Sequence, residues 1–91
     1  MTKNNSNTPL IYILMKIKLL AFGQIAEITG EQTELAADVC DTTELLQLLY
    51  EKHPELKSKS FKLAVNQKMA QDVTVLNEND TVALLPPFSG G

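Results

Sequence analysis

The stretch DTTELLQLLYEKHP, Asp41 to Pro54, is the clearest periodic signal in the chain, and its reading decides the fold. Asp41 or Thr42 stands as N-cap and Glu44 falls in the first turn. Leu45, Leu46, Leu48 and Leu49 recur at helical spacing until His53 and Pro54 stop the run. One leucine-striped helix cannot bury its stripe alone, so the rest of the chain must supply a surface to cover it.

That surface is read outward from the helix. On the N-terminal side IKLLAF, Ile17 to Phe22, has β-branched and aromatic ends and a mostly apolar middle, the pattern of a central strand buried on both faces. In GQIAEITGEQTELAA, Gly23 and Gly30 bracket a short helix carrying Ile25 and Ile28, and an extended stretch follows around Thr33 to Ala36. On the C-terminal side FKLAVN alternates as a strand, NQK turns, MAQDVTVL supplies another extended piece, NEND turns again, and TVALL is the last strand. The first and last strands, both aliphatic, are the natural central pair, parallel because the helix makes the crossover between them. The expected class is α+β: a β-grasp, ubiquitin-like roll with a mixed sheet of four or five strands and one main helix across one face.

Composition narrows the function. A chain of 91 residues with 44% apolar content has room for one modest core and no second domain. Eleven acidic residues stand against eight lysines and no arginine, a formal net charge of −3, which argues against a nucleic-acid partner. The single cysteine, Cys40, excludes an internal disulfide and fits a reducing cytoplasm. Lys16 and Lys18 interrupt the apolar run Leu10 to Phe22, which is too short to cross a membrane. Residues 1–14 open with the polar, aperiodic TKNNSNTP and are expected to be a disordered extension ahead of a domain at 15–85 and a functional tail at 86–91.

Side-chain catalysis finds few candidates. Cys40 and His53 flank the main helix at opposite ends, too far apart to share a hydrogen bond, and no pairing of ligand types suggests a metal site or bound cofactor. Cys40 reads as a small buried apolar residue and His53 as a cation near the negative end of the helix. The acidic residues Glu27, Glu31, Glu34 and Asp38 read as a solvated face. What remains is the ending LLPPFSGG, Leu84 to Gly91. Pro86 and Pro87 hold the chain extended after the last strand, Phe88 offers an apolar anchor, and Gly90 and Gly91 lack the Cβ that would block entry into a narrow channel. The reactive group would be the main-chain carboxylate of Gly91, unreactive until activated, for which ATP is the usual means.

On KIKLLAFGQIAEITG, LAVNQKMA and NDTVALLPPFSGG the sequence, from Met15 to Gly91, resembles the small sulfur-carrier subunits of molybdopterin synthase. These are ubiquitin-like proteins related to the thiamine-pathway sulfur carrier. The double proline before the terminal glycines looks like the molybdopterin type, although Phe88 stands where that family often has a smaller aliphatic residue. The resemblance implies adenylation of Gly91 by an E1-like enzyme, sulfur from a persulfide donor, and a thiocarboxylate that serves a cyclic pyranopterin in a larger catalytic subunit. The family's synthase is typically a heterotetramer. Gly90 would then permit threading, and Ser89, Phe88, Pro87 and Pro86 would dock the tail. Phe22, Leu84 and Leu85 are the expected partner-facing positions on the exposed sheet face. The alternatives are a sulfur carrier for thiazole synthesis, a ubiquitin-like protein modifier, and an interaction domain with an inert tail.

Overall fold

The structure, a computed structural model, describes residues 14–87. The expected extension, apart from Leu14, and the tail positions Phe88, Ser89, Gly90 and Gly91 lie outside the described residues. The elements are β1 (Met15–Ala21), α1 (Gly23–Thr29), β2 (Gln32–Ala37), α2 (Thr42–Lys52), a 3-10 helix (Pro54–Ser58), β3 (Lys62–Val65), β4 (Lys68–Met69) and β5 (Thr81–Leu85). They form a five-stranded mixed sheet in the order β2-β1-β5-β3-β4, and β1 and β5 are the parallel central pair. This is the β-grasp arrangement read from the sequence.

The helix α2 begins where Asp41 caps it, its carboxylate accepting the Glu44 N–H at 2.9 Å. The Glu44 carboxylate reaches back past the cap to accept the Cys40 N–H at 2.7 Å, a capping box shifted by one residue. Leu45 and Leu49 are buried and meet Ile17 and Leu19 of β1 and Val82 and Leu84 of β5 in one core. Pro54 ends α2 but continues the chain as a 3-10 turn, which the sequence reading did not foresee; the turn carries Leu56 into the core.

Two further differences follow from the sheet having one covered face. β1 is buried on one side only: Ile17, Leu19 and Ala21 point to the helix, while Lys16 and Lys18 are exposed on the other side and Leu20 is half-buried there. The stretch Met69 to Leu76 does not form a long strand. Apart from Met69, the last residue of β4, it makes a single bridge between Val75 and Asp41; the Thr42 N–H donates to the Thr74 carbonyl at 2.9 Å, and the buried Thr42 hydroxyl accepts the Thr74 N–H at 3.0 Å. That clasp ties the loop to the start of α2.

The β3–β4 hairpin turns at Asn66 and Gln67, both at positive φ, the geometry that suits a two-residue turn between twisted strands. The Asn66 amide then holds the start of β5. Its oxygen accepts the Thr81 N–H at 3.0 Å and its nitrogen donates to the Asp80 carboxylate at 2.9 Å. In urea unfolding, Leu49→Ala is expected to cost about 2–5 kcal/mol through the lost leucine and the cavity left behind. Asn66→Ala should cost about 1–3 kcal/mol, since it strands the Thr81 donor and places a Cβ-bearing residue without a local partner at positive φ. A loss at Asn66 no larger than that of an exposed Lys62→Ala control would contradict this role.

Candidate functional site

The site is built around the point where β5 ends. β5 lies between β1 and β3, with Leu84 beside Ala21 on one side and Leu63 on the other, so its last residues are held by two neighbours. Pro86 is half-buried and Pro87 exposed. Neither ring donates a backbone hydrogen bond, so pairing stops there and the chain leaves the sheet extended. The start of α1 braces this exit: Gly23, at φ 61°, lies so close that a Cβ built on it would sit 3.3 Å from Cγ of Pro86.

On the face of the sheet away from α2, the register sets side chains in rows. Leu20 neighbours Ala83, Ala83 neighbours Ala64, and Ala64 neighbours Met69, an apolar row across four strands. Phe22, 47% exposed, and Leu85, half-buried, line the same shallow depression nearer the exit. Lys62, beside Leu85, supplies a cation at its border.

Of the partner-facing positions expected from sequence, Phe22 and Leu85 are on this face and Leu84 is not. Leu84 is 0% exposed, because alternation along β5 sends Val82 and Leu84 to the helix side and Thr81, Ala83 and Leu85 to the open side. The sequence reading missed Leu20, Ala64, Met69 and Ala83. The signal was present in TVALL, where Ala83 between Val82 and Leu84 marks the opposite face once the helix side is known. The expected docking and reacting residues Phe88, Ser89, Gly90 and Gly91 lie outside the described residues. Among those that are described, no group of three or more histidine, cysteine, aspartate or glutamate side chains is placed to hold a metal, and no helix is long and apolar enough to cross a membrane.

Comparison with known proteins places this geometry in context. The model of the ThiS family matches residues 19–91. The molybdopterin synthase sulfur carrier subunit of Chlamydomonas reinhardtii is 40% identical over 83 residues, covering 85% of this chain and 100% of that one. The protein of the same name from Mycobacterium tuberculosis is 32% identical over 83 residues, covering 86% and 100%. Among solved structures, the protein–protein complex of subunits 1 and 2 of molybdopterin-converting factor from Helicobacter pylori contains a chain that matches with a TM-score of 0.63 and 26% identity, over 85% of this chain and all 100% of that chain.

The two side chains first considered for catalysis stand apart from this face. Cys40 precedes the cap of α2 and His53 caps its far end, so the helix separates them by about 16 Å. Cys40 is exposed, not buried as expected, because alternation buries Ala37 and Val39 and turns Cys40 outward. The negative Glu44 carboxylate raises the thiol's pKa above the ordinary cysteine value, with smaller contributions in the same direction from desolvation, a hydrogen bond to Glu44, and Asp38 and Asp41. Glu44→Gln removes the largest of these, so the pKa falls and more thiolate is present at any pH below it. Alkylation of Cys40 at neutral pH should therefore be faster in Glu44→Gln, and its pH–rate midpoint lower, than in the unaltered chain. An unchanged or higher midpoint would contradict the assignment.

Proposed function

The chain belongs to the ThiS family, and we propose that it is the sulfur-carrier subunit of a molybdopterin synthase. The observation that carries this reading is the pinned central strand β5, ending in Pro86 and Pro87 beside an open apolar face and followed in sequence by Phe88, Ser89, Gly90 and Gly91. The two curated relatives described above are both molybdopterin synthase sulfur carriers, which favours that acceptor over thiazole synthesis or protein modification.

The chemistry is that of a carboxylate presented to other proteins. An E1-like enzyme transfers AMP from ATP to the Gly91 carboxylate with release of pyrophosphate, giving a mixed anhydride. Persulfide sulfur attacks the acyl carbon and AMP leaves; a thiol then cleaves the resulting acyl disulfide, and the thiocarboxylate remains. Gly90 lets the tail pass a narrow channel, Pro86 and Pro87 lower the ordering cost of insertion, and Ser89 and Phe88 dock it. The sulfur is then donated to a cyclic pyranopterin monophosphate in the large subunit. The Helicobacter pylori complex supports a large-subunit partner for this chain. The open face from Leu20 and Phe22 to Ala83 and Leu85 is the surface that meets it, the tail entering from the adjacent exit.

The test is intact-mass analysis of the full chain incubated with ATP, its activating enzyme and a sulfur donor. Replacement of one oxygen by sulfur at Gly91 is expected, and a chain lacking Gly90 and Gly91 should show none; an unchanged mass in the full chain would overturn the reading. In a separate binding assay Ala83→Glu, which places a charge at the centre of the open face, should weaken association with the large subunit at least about tenfold. Its unfolding midpoint should stay close to that of the unaltered chain, because Ala83 lies outside the helix-side core. Equal binding would remove the open face from the interface.

A further inference from the structure

A second groove runs between β2 and α2. Leu35, Ala37 and Val39 on the strand side and Leu48 on the helix form its apolar floor, and Leu35 and Leu48 are half-buried against the core. It shares no lining residue with the open-face depression, so occupation of one does not occlude the other. β2 ends the strand order, and its outer edge pairs with no strand among the described residues. Such an edge offers a row of backbone donors and acceptors to an added strand.

The charge around the groove is one-sided. Asp38, Glu44 and Glu51 line it against Lys52 alone, a formal charge of −2, while the Glu34 side chain turns to the other face of the sheet opposite Lys18. The whole chain carries −3, so the groove holds two of its three net negative charges. The raised pKa of the Cys40 thiol, which also lines the groove, registers this field, with Glu44 its largest source.

We infer that the groove between β2 and α2 docks an extended apolar segment of a protein partner, flanked by lysines or arginines, that adds as a strand to the edge of β2. Its apolar side chains would lie on Leu35 and Leu48, and the basic residues would reach Glu44 and Glu51 on the helix or Asp38 beyond the end of β2. The carboxylates also oppose pairing with a second copy of this chain, whose own edge carries the same charge. This inference does not depend on sulfur chemistry at Gly91.

The experiment is amide and methyl NMR of the full chain titrated with a capped peptide of about eight residues, valines flanked by lysines. The expected result is shifts confined to β2, Cys40 and the Glu44 to Lys52 face of α2. Affinity should fall about tenfold in the Glu44→Gln, Glu51→Gln double variant and weaken with added salt. Leu48→Glu should abolish the shifts while the rest of the amide spectrum stays in place. Equal binding of the counterpart with glutamates for lysines, shifts centred on Leu20 and Ala83, or no shifts at the highest soluble peptide concentration would each overturn the inference. So would binding only by a chain lacking residues 1–13, which would assign the groove to the chain's own preceding segment. Groove shifts that depend on protein concentration without peptide would overturn it in favour of a second copy.

Discussion

The parallel pairing of β1 and β5 is the constraint on which the rest depends. The two strands come from opposite ends of the described chain and lie at the centre of the sheet. Parallel neighbours cannot be joined by a hairpin, so the intervening chain has to cross over, and α2 with its 3-10 turn lies within that connection. The same pairing fixes where the chain leaves the domain. Leu84 is paired with Ala21 and Leu63 and covered by the core, so Pro86 departs from a point held on three sides. A strand at the edge of the sheet, paired on one side only, would let that point move.

Much of this was readable in the sequence because several independent signals agreed. Asp41, Glu44 and the leucine spacing specify α2 from both ends, and the structure shows Asp41 as its cap. TVALL followed by two prolines specifies where β5 stops, since proline cannot continue the ladder. The parallel central pair followed from topology: a single helix between two aliphatic strands leaves few other arrangements.

What was less readable concerns which way a side chain faces. Ile17 to Phe22 looked buried on both sides because its aliphatics are nearly continuous; that β1 has a bare face depends on where α2 packs, which composition does not state. Leu84 and Leu85 are chemically alike and adjacent, yet one is in the core and the other on the open face, a distinction set by β-sheet register. Cys40 follows the same rule one step beyond β2. The Met69 to Leu76 stretch has strand-like residues, but its partner is the backbone at Asp41 and Thr42, whose availability depends on tertiary placement. The groove at β2 was equally hidden, since its carboxylates come from the segment after β2 and from α2 and converge only in the fold.

The open face is also only moderately apolar. Its central residues are Ala64 and Ala83, with larger apolar side chains confined to Leu20, Phe22, Met69 and Leu85, and Lys18 and Lys62 on the same face. A broader leucine surface would be a liability in the free protein. A face of this kind would bind only modestly by itself, and so would a short tail. On the proposed function the two would be linked contacts joined at Pro86: once the face was engaged, the tail would be held at high effective concentration near its channel. Neither contact would then need to be tight, which would suit a carrier that has to pass between partners, as the proposed function requires. Tight binding through either contact alone would slow that passage, because affinity gains among related complexes are mostly gains in residence time.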